Sequence, residues 1–113
     1  MAVSYVPDAG HVVWLEFDPQ AGREQSGRRP AVVLTPASYN KKTSLMLCCP
    51  LTTQIKGYPF EVLVEIDGVQ SAVLSDQLKS QDWKIRKAKF KAMVPIDALA
   101  EVRAKAKSLL SFS

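Results

Sequence analysis

The chain has 113 residues, 47% of them hydrophobic and 23% charged, with a formal net charge of +4. That composition describes one ordinary globular domain over residues 1–113, with roughly two thirds of its unfolded surface buried on folding. It excludes a membrane-spanning helix, because no apolar run approaches the roughly 20 residues needed to cross a bilayer. Residues 1–8 (Met-Ala-Val-Ser-Tyr-Val-Pro-Asp) lack the basic and apolar regions of a secretory signal, so a cytoplasmic location is expected.

Asp8-Ala9-Gly10 reads as a turn into a first strand, His11 to Phe17. Val12, Trp14 and Glu16 share one face of that strand; Val13, Leu15 and Phe17 share the other. Both faces carry apolar residues, which predicts cover on both. From Asp18 onward both regular periods break. Gly22, Gly27, Pro19 and Pro30 mark a long loop that also holds Arg23, Glu24, Gln25, Arg28 and Arg29. A loop of that length between strands is uncommon without a function, and guanidinium groups match phosphate oxygens in bidentate geometry. The same residues equally serve a solvated hairpin tip.

A second strand is predicted over Ala31 to Thr35, stopped by Pro36. Tyr39 to Lys42 reads as a polar connection, and Ser44 to Thr53 as a third strand in which Pro50 implies an edge or a bulge. Cys48 and Cys49 are adjacent in that strand and so point to opposite faces. Without zinc spacing, they read as reduced filler. Gln54 to Tyr58 is a second polar loop, and Pro59 to Ile66 a fourth strand. Asp67-Gly68 is a tight-turn dipeptide, followed by a fifth strand over Ala72 to Gln77.

Residues 79–91 carry Lys79, Lys84, Arg86, Lys87, Lys89 and Lys91 against Asp82 alone. Such a cluster suits a phosphate backbone, or simply a solvated face. Its single apolar residues allow a short helical turn and another exposed strand. Pro95-Ile96-Asp97 opens a terminal helix whose Leu99, Val102, Ala106, Leu109 and Leu110 fall on one face. Glu101 and Lys105 make a favourable exposed pair on it. The fold class is therefore mainly β with a C-terminal helix: a small, strongly bent antiparallel barrel with the helix docked on it.

The chemistry is bounded by what is missing. His11 is the only histidine, which excludes a two-histidine acid–base mechanism within one subunit, and nothing places it near a candidate serine. There is no glycine-rich phosphate loop, no dinucleotide fingerprint and no carboxylate cluster for a metal. Glu24, Arg28, Arg29, Thr52 and Thr53 remain. They suit RNA, whose own 2′-hydroxyl is a nucleophile already held beside the phosphorus. A carboxylate can take its proton, and an arginine can steady the charge that develops. Trp14 and Trp83 are candidate stacking platforms or core residues.

The residues that carry most information form long stretches: Tyr-Val-Pro-Asp at 5–8, Val-Trp-Leu-Glu-Phe-Asp-Pro at 13–19 and Glu-Gln-Ser-Gly-Arg-Arg-Pro-Ala-Val-Val-Leu at 24–34. Pro-Leu-Thr-Thr-Gln-Ile-Lys-Gly-Tyr-Pro-Phe-Glu-Val at 50–62 and Asp-Gln-Leu-Lys-Ser at 76–80 continue them. Together they closely resemble the MazF/PemK family of bacterial toxin endoribonucleases, and most resemble its enterobacterial MazF type. The resemblance implies an SH3-like barrel of the MazF/PemK/CcdB toxin type and a homodimer. It implies metal-independent, cofactor-free cleavage of single-stranded RNA, often mRNA, at a short sequence, leaving 2′,3′-cyclic phosphate and 5′-hydroxyl ends. It also implies a cognate MazE-type antitoxin with an acidic tail.

By the same resemblance the catalytic residues are Arg29, for phosphate stabilisation and leaving-group protonation, Thr52, for holding a phosphate oxygen, and Glu24, as base. Gln25, Arg28, Gln54, Lys56, Gln77 and Lys79 are the candidate RNA-binding residues. Arg28 stands where relatives often have histidine, and His11 where they often have an acid. The segment from Asp67 to Ala72 also differs from relatives, a difference expected to bear on a loop rather than on the site. The alternative from another class is a non-catalytic toxin of the same fold that poisons a protein such as DNA gyrase. A plain RNA-binding module is the third.

Overall fold

The computed structural model describes residues 5–17 and 27–111. Seven strands and two helices follow in the order β1 (His11–Phe17), β2 (Gly27–Val33), α1 (Ala37–Thr43), β3 (Leu45–Thr52), β4 (Glu61–Ile66), β5 (Val69–Leu74), β6 (Lys79–Asp82), β7 (Lys89–Met93) and α2 (Ile96–Leu109). The strands form one antiparallel sheet ordered β4-β5-β3-β2-β1-β7, with β6 also paired to β3. The sheet curls into a half-barrel, the mainly β fold with a terminal helix that the sequence predicts. Among the described residues no helix is long and apolar enough to cross a membrane.

Both faces of the central strands are covered. Val12, Val32, Cys49, Leu51, Val62 and Val64 pack under α2, which contributes Leu99 and Val102. Val13, Leu15, Ala31, Val33, Met46, Cys48 and Trp83 fill the other side. Each fully buried side chain of this kind stabilises the fold by about 1.5–3 kcal/mol relative to exposure. Cys48 and Cys49 thus lie on opposite faces, as strand alternation requires, and both thiols are free and buried.

Four expectations are corrected. The second strand begins at Gly27, not Ala31, so Arg28 and Arg29 are strand residues opposite Glu16 and Leu15. Gly27 and Pro30 signal a break, but ladder pairing with β1 outweighs that local preference. Tyr39 to Lys42 belongs to helix α1 instead of a bare connection. Its anchor is Asn40, fully buried, whose side chain donates to Pro7 O and Thr35 O and accepts from Thr35 Oγ1. Asn40 O in turn accepts from Trp83 Nε1 at 2.8 Å. A single satisfied polar hub leaves no apolar period to read.

Pro50 lies, as expected, where β3 has a local edge on one side. It pairs with Ala31 of β2, and on its other side it falls between two neighbours, β6 on Leu45–Cys48 and β5 on Leu51–Thr52. A residue without an N–H suits that gap. The fifth strand starts at Val69, three residues early, because Asp67 (φ 51°) and Gly68 (φ 80°) close a two-residue hairpin that pairs Ile66 with Val69. On α2, Leu99, Val102 and Ala106 are buried as expected, whereas Leu109 and Leu110 are exposed where the last turn leaves the sheet.

Candidate active site

Strand β2 fixes the site, because alternation sends its two arginines to opposite faces. Arg29, opposite Leu15, stands over the Phe17 ring at 5.7 Å. Arg86 stands over the same ring at 4.5 Å. The turn after β6 carries it there: Asp82 Oδ1 accepts from Lys84 N and Ile85 N, Arg86 N donates to Asp82 O, and Arg86 O accepts from Glu16 N at 2.7 Å. Asp82 is therefore spent on the turn. A cavity of about 190 Å³ opens here, with Leu15, Phe17, Ala31, Cys48 and Pro50 as apolar lining and Arg29, Gln77, Lys79 and Gln81 as polar lining. Among the described residues, Arg29, Lys79 and Arg86 have no carboxylate partner. Two arginines over one ring, with Lys79 lining the adjoining cavity and none of the three paired with a described carboxylate, make a basic site suited to an anion.

Thr52 ends β3 two residues beyond Pro50. Its Oγ1 accepts from Gln54 N at 3.0 Å, which sets the rotamer and leaves the hydroxyl proton to donate outward. Thr52 lies at the junction of two further depressions. One, of about 210 Å³, is shared with Gln54, Lys56, Tyr58, Glu61 and Gln77. Gln77 also lines the Arg29 cavity, so it joins the two halves of the site. The loop carrying Gln54 and Lys56 is wound on Glu61, a 7% exposed carboxylate that accepts from Lys56 N and Gly57 N at 2.9 and 2.7 Å. Lys105 of α2 donates to Pro59 O and Glu61 O at the foot of the same loop, besides pairing with Glu101 at 3.3 Å. It is thus more than one half of an exposed pair.

The second depression beside Thr52, of about 430 Å³, lies toward Trp14 and is also lined by Asp67, Val69, Ser71 and Lys91. The Asp67–Ala72 segment therefore borders the depression beside Thr52, against the expectation that it bears on a loop rather than on the site. Arg28 faces this side. Its guanidinium stacks on Trp14 at 4.6 Å, with Lys91 also over that ring at 4.9 Å. Lys91 is paired with Asp67 at 2.7 Å.

The structure thus brings Arg29, Gln77 and Lys79 together, and Thr52, Gln54, Lys56 and Gln77 together, and sets Arg28 apart from Arg29. Glu24 and Gln25 lie outside the described residues. His11 lines none of these depressions; its Nδ1 takes hydrogen bonds from Tyr5 Oη (2.7 Å) and Asp8 N (3.2 Å). Among the described residues no group of His, Cys, Asp and Glu could hold a metal ion. Cys48, although it lines the Arg29 cavity, is pushed up to about 11 by burial and is no nucleophile. Arg86 and Gln81 are site residues the sequence reading did not single out. Arg86 was visible only as one cation in a run, and Gln81 only as the third member of the alternation Gln77, Lys79, Gln81.

Comparison with known proteins was made on this basis. A family model described as a PemK-like, MazF-like toxin of type II toxin–antitoxin systems matches residues 8–110. A protein of Escherichia coli (strain K12) named endoribonuclease toxin MazF is 47% identical over 110 residues, 97% of this chain and 99% of its own. One from Escherichia coli named endoribonuclease PemK is 33% identical over 109 residues, 88% of this chain and 79% of its own. Among solved structures, MazE–MazF (Form-II) from Deinococcus radiodurans superposes with a TM-score of 0.90 at 58% identity, covering 97% of this chain and 100% of that one.

Proposed function

The chain belongs to the family of PemK-like, MazF-like toxins of type II toxin–antitoxin systems, and on that premise we propose how it acts as an endoribonuclease. Its substrate is single-stranded RNA, mRNA included, cut at a short sequence by attack of the 2′-hydroxyl on the adjacent phosphorus. The products are a 2′,3′-cyclic phosphate and a 5′-hydroxyl. The nucleophile belongs to the substrate, so no metal is needed to generate it. The observation that supports this reading is the cluster of Arg29, Lys79 and Arg86, which has no partner among the described carboxylates and is joined through Gln77 to the depression that holds the Thr52 hydroxyl.

In the reaction Arg29 meets the non-bridging oxygens as charge builds on the phosphorane and supplies the proton with which the 5′-oxygen leaves, while Thr52 donates a hydrogen bond to one of the non-bridging oxygens. Arg86 and Lys79 hold flanking phosphates by charge. The two carboxylates at the rims of the described cavities are occupied, Asp67 by Lys91 and Glu61 by backbone N–H groups. The base role is given to Glu24 on the family resemblance. Gln25, Gln54, Lys56 and Gln77 contact the bases or sugars, whereas Arg28 serves Trp14 first. A MazE-type antitoxin with an acidic segment suits the uncompensated basic surface, a homodimer is its expected state, and the cytoplasm, where mRNA lies, its location. The gyrase-poison alternative has no support: relatives matching over most of their length are named endoribonucleases.

Incubation of purified, antitoxin-free protein with a long RNA in excess EDTA, followed by mapping of fragment ends, tests this. Discrete cuts with cyclic-phosphate and 5′-hydroxyl ends are expected. Intact RNA after incubation with folded protein overturns the reading.

A further inference from the structure

Deepening that ribonuclease reading, on which the inference rests, we infer that the cavity beneath Arg29 is a pocket for one unstacked nucleobase next to the cleaved phosphate, read by Gln81. Its volume is about 190 Å³, and it opens to solvent on the side of Arg29, Gln77 and Lys79. Leu15, Ala31 and Cys48, each 5% exposed or less, give it a rigid apolar floor against which a base can stack. Arg29 at its rim places any base it holds beside the phosphate that Arg29 binds.

Gln81 supplies the reading. β6 pairs Gln81 with Met46, which is fully buried, so the backbone bearing the amide is fixed. Strand alternation aligns Gln81 with Lys79, and both line the same cavity. Among the described residues the Gln81 side chain has no hydrogen-bond partner, and neither does that of Gln77. An amide offers one acceptor beside two donors, the pattern that reads the hydrogen-bonding edge of an exposed base. Lys79 offers only donors and reads nothing about a neighbouring N–H.

Two substitutions test it by end-mapping on a random RNA pool. Gln81→Leu keeps the volume and removes the amide; the base distribution at one position of the cut sequence flattens by roughly tenfold, and the other positions keep theirs. Gln81→Glu converts a mixed donor–acceptor group to acceptors alone. Bases with an exposed amino group gain at that same position and uracil loses. Unchanged distributions in both variants overturn the inference. So does loss of all cutting in variants that melt like the wild type, because that makes Gln81 part of the chemistry. Wild-type protein that leaves the pool intact instead overturns the ribonuclease reading beneath it.

Discussion

The two faces of the β1–β2 ribbon carry the same parts in different states. Each presents an aromatic ring with two cations over it: Phe17 with Arg29 and Arg86, Trp14 with Arg28 and Lys91. On the Trp14 face Lys91 is neutralised by Asp67 at 2.7 Å. On the Phe17 face no described carboxylate answers the arginines, and Lys79 adds a third charge. Each ring itself carries two cations, so their number at the ring does not separate the sides. What differs is that a described carboxylate answers a cation on the Trp14 face and none does on the Phe17 face, which is the face we assign to the RNA backbone.

Arg29→Ala breaks that contrast most severely. Removing one donor aimed at developing charge lowers cleavage by about 10²–10³-fold with the melting temperature unchanged, read by single-turnover kinetics on a mapped site. A variant that cuts at the wild-type rate moves the chemistry away from this face. Thr52→Val keeps the side-chain shape and deletes the hydroxyl. The loss is about 1.5–3 kcal/mol of transition-state stabilisation, roughly 10- to 100-fold. Arg86→Gln leaves the chemical step intact but weakens RNA binding, and the slope of log affinity against log salt falls by about one. An unchanged slope places the backbone elsewhere.

On the other face, Arg28→Gln and Lys91→Met shift stability by no more than about 1 kcal/mol and leave cleavage near wild type, because Lys91 is already paired with Asp67 and Arg28 lies on Trp14, on the opposite face from Arg29. A collapse of cleavage in a folded Arg28→Gln protein erases the distinction between the faces. Cys48 and Cys49, one on each face, are held protonated by burial, pushed up to about 11 and about 12. The folded chain therefore binds those protons more tightly than the unfolded one. Their contribution is complete below an ordinary thiol value of ~8.5 and is lost as pH climbs toward 11. The melting temperature falls over that interval, and the double variant Cys48→Ala/Cys49→Ala flattens the fall. A fall that persists belongs to another group, such as Tyr5, which burial pushes up to about 12.

How much of this was legible beforehand follows from which forces were local. The first strand was read to the residue because Val12 to Phe17 alternate with apolar side chains on both faces. The terminal helix was legible from its period and its proline. The stretch at 27–30 was not, since Gly27 and Pro30 argue for a loop and only pairing with β1 makes them strand. Helix α1 was missed because Asn40 is its one buried residue, and its partners Pro7 and Trp83 are remote in sequence, as is Asp8, which accepts from Ala37 N. In the site, Arg29 and Thr52 were legible by resemblance. Their division from Arg28 was not, because Lys91 and Asp67 meet Trp14 only through tertiary structure.

Glu61 bears on how such a protein diverges. Its carboxylate already occupies the N–H groups of Lys56 and Gly57, and Lys105 secures the carbonyls of Pro59 and Glu61. The loop therefore keeps its course whichever side chains stand at Gln54 and Lys56, both of which are exposed. Those two positions are open to exchange during descent without a compensating change in the scaffold, so the target preference of a lineage is free to drift while Glu61, Lys105 and the cleavage chemistry stay put.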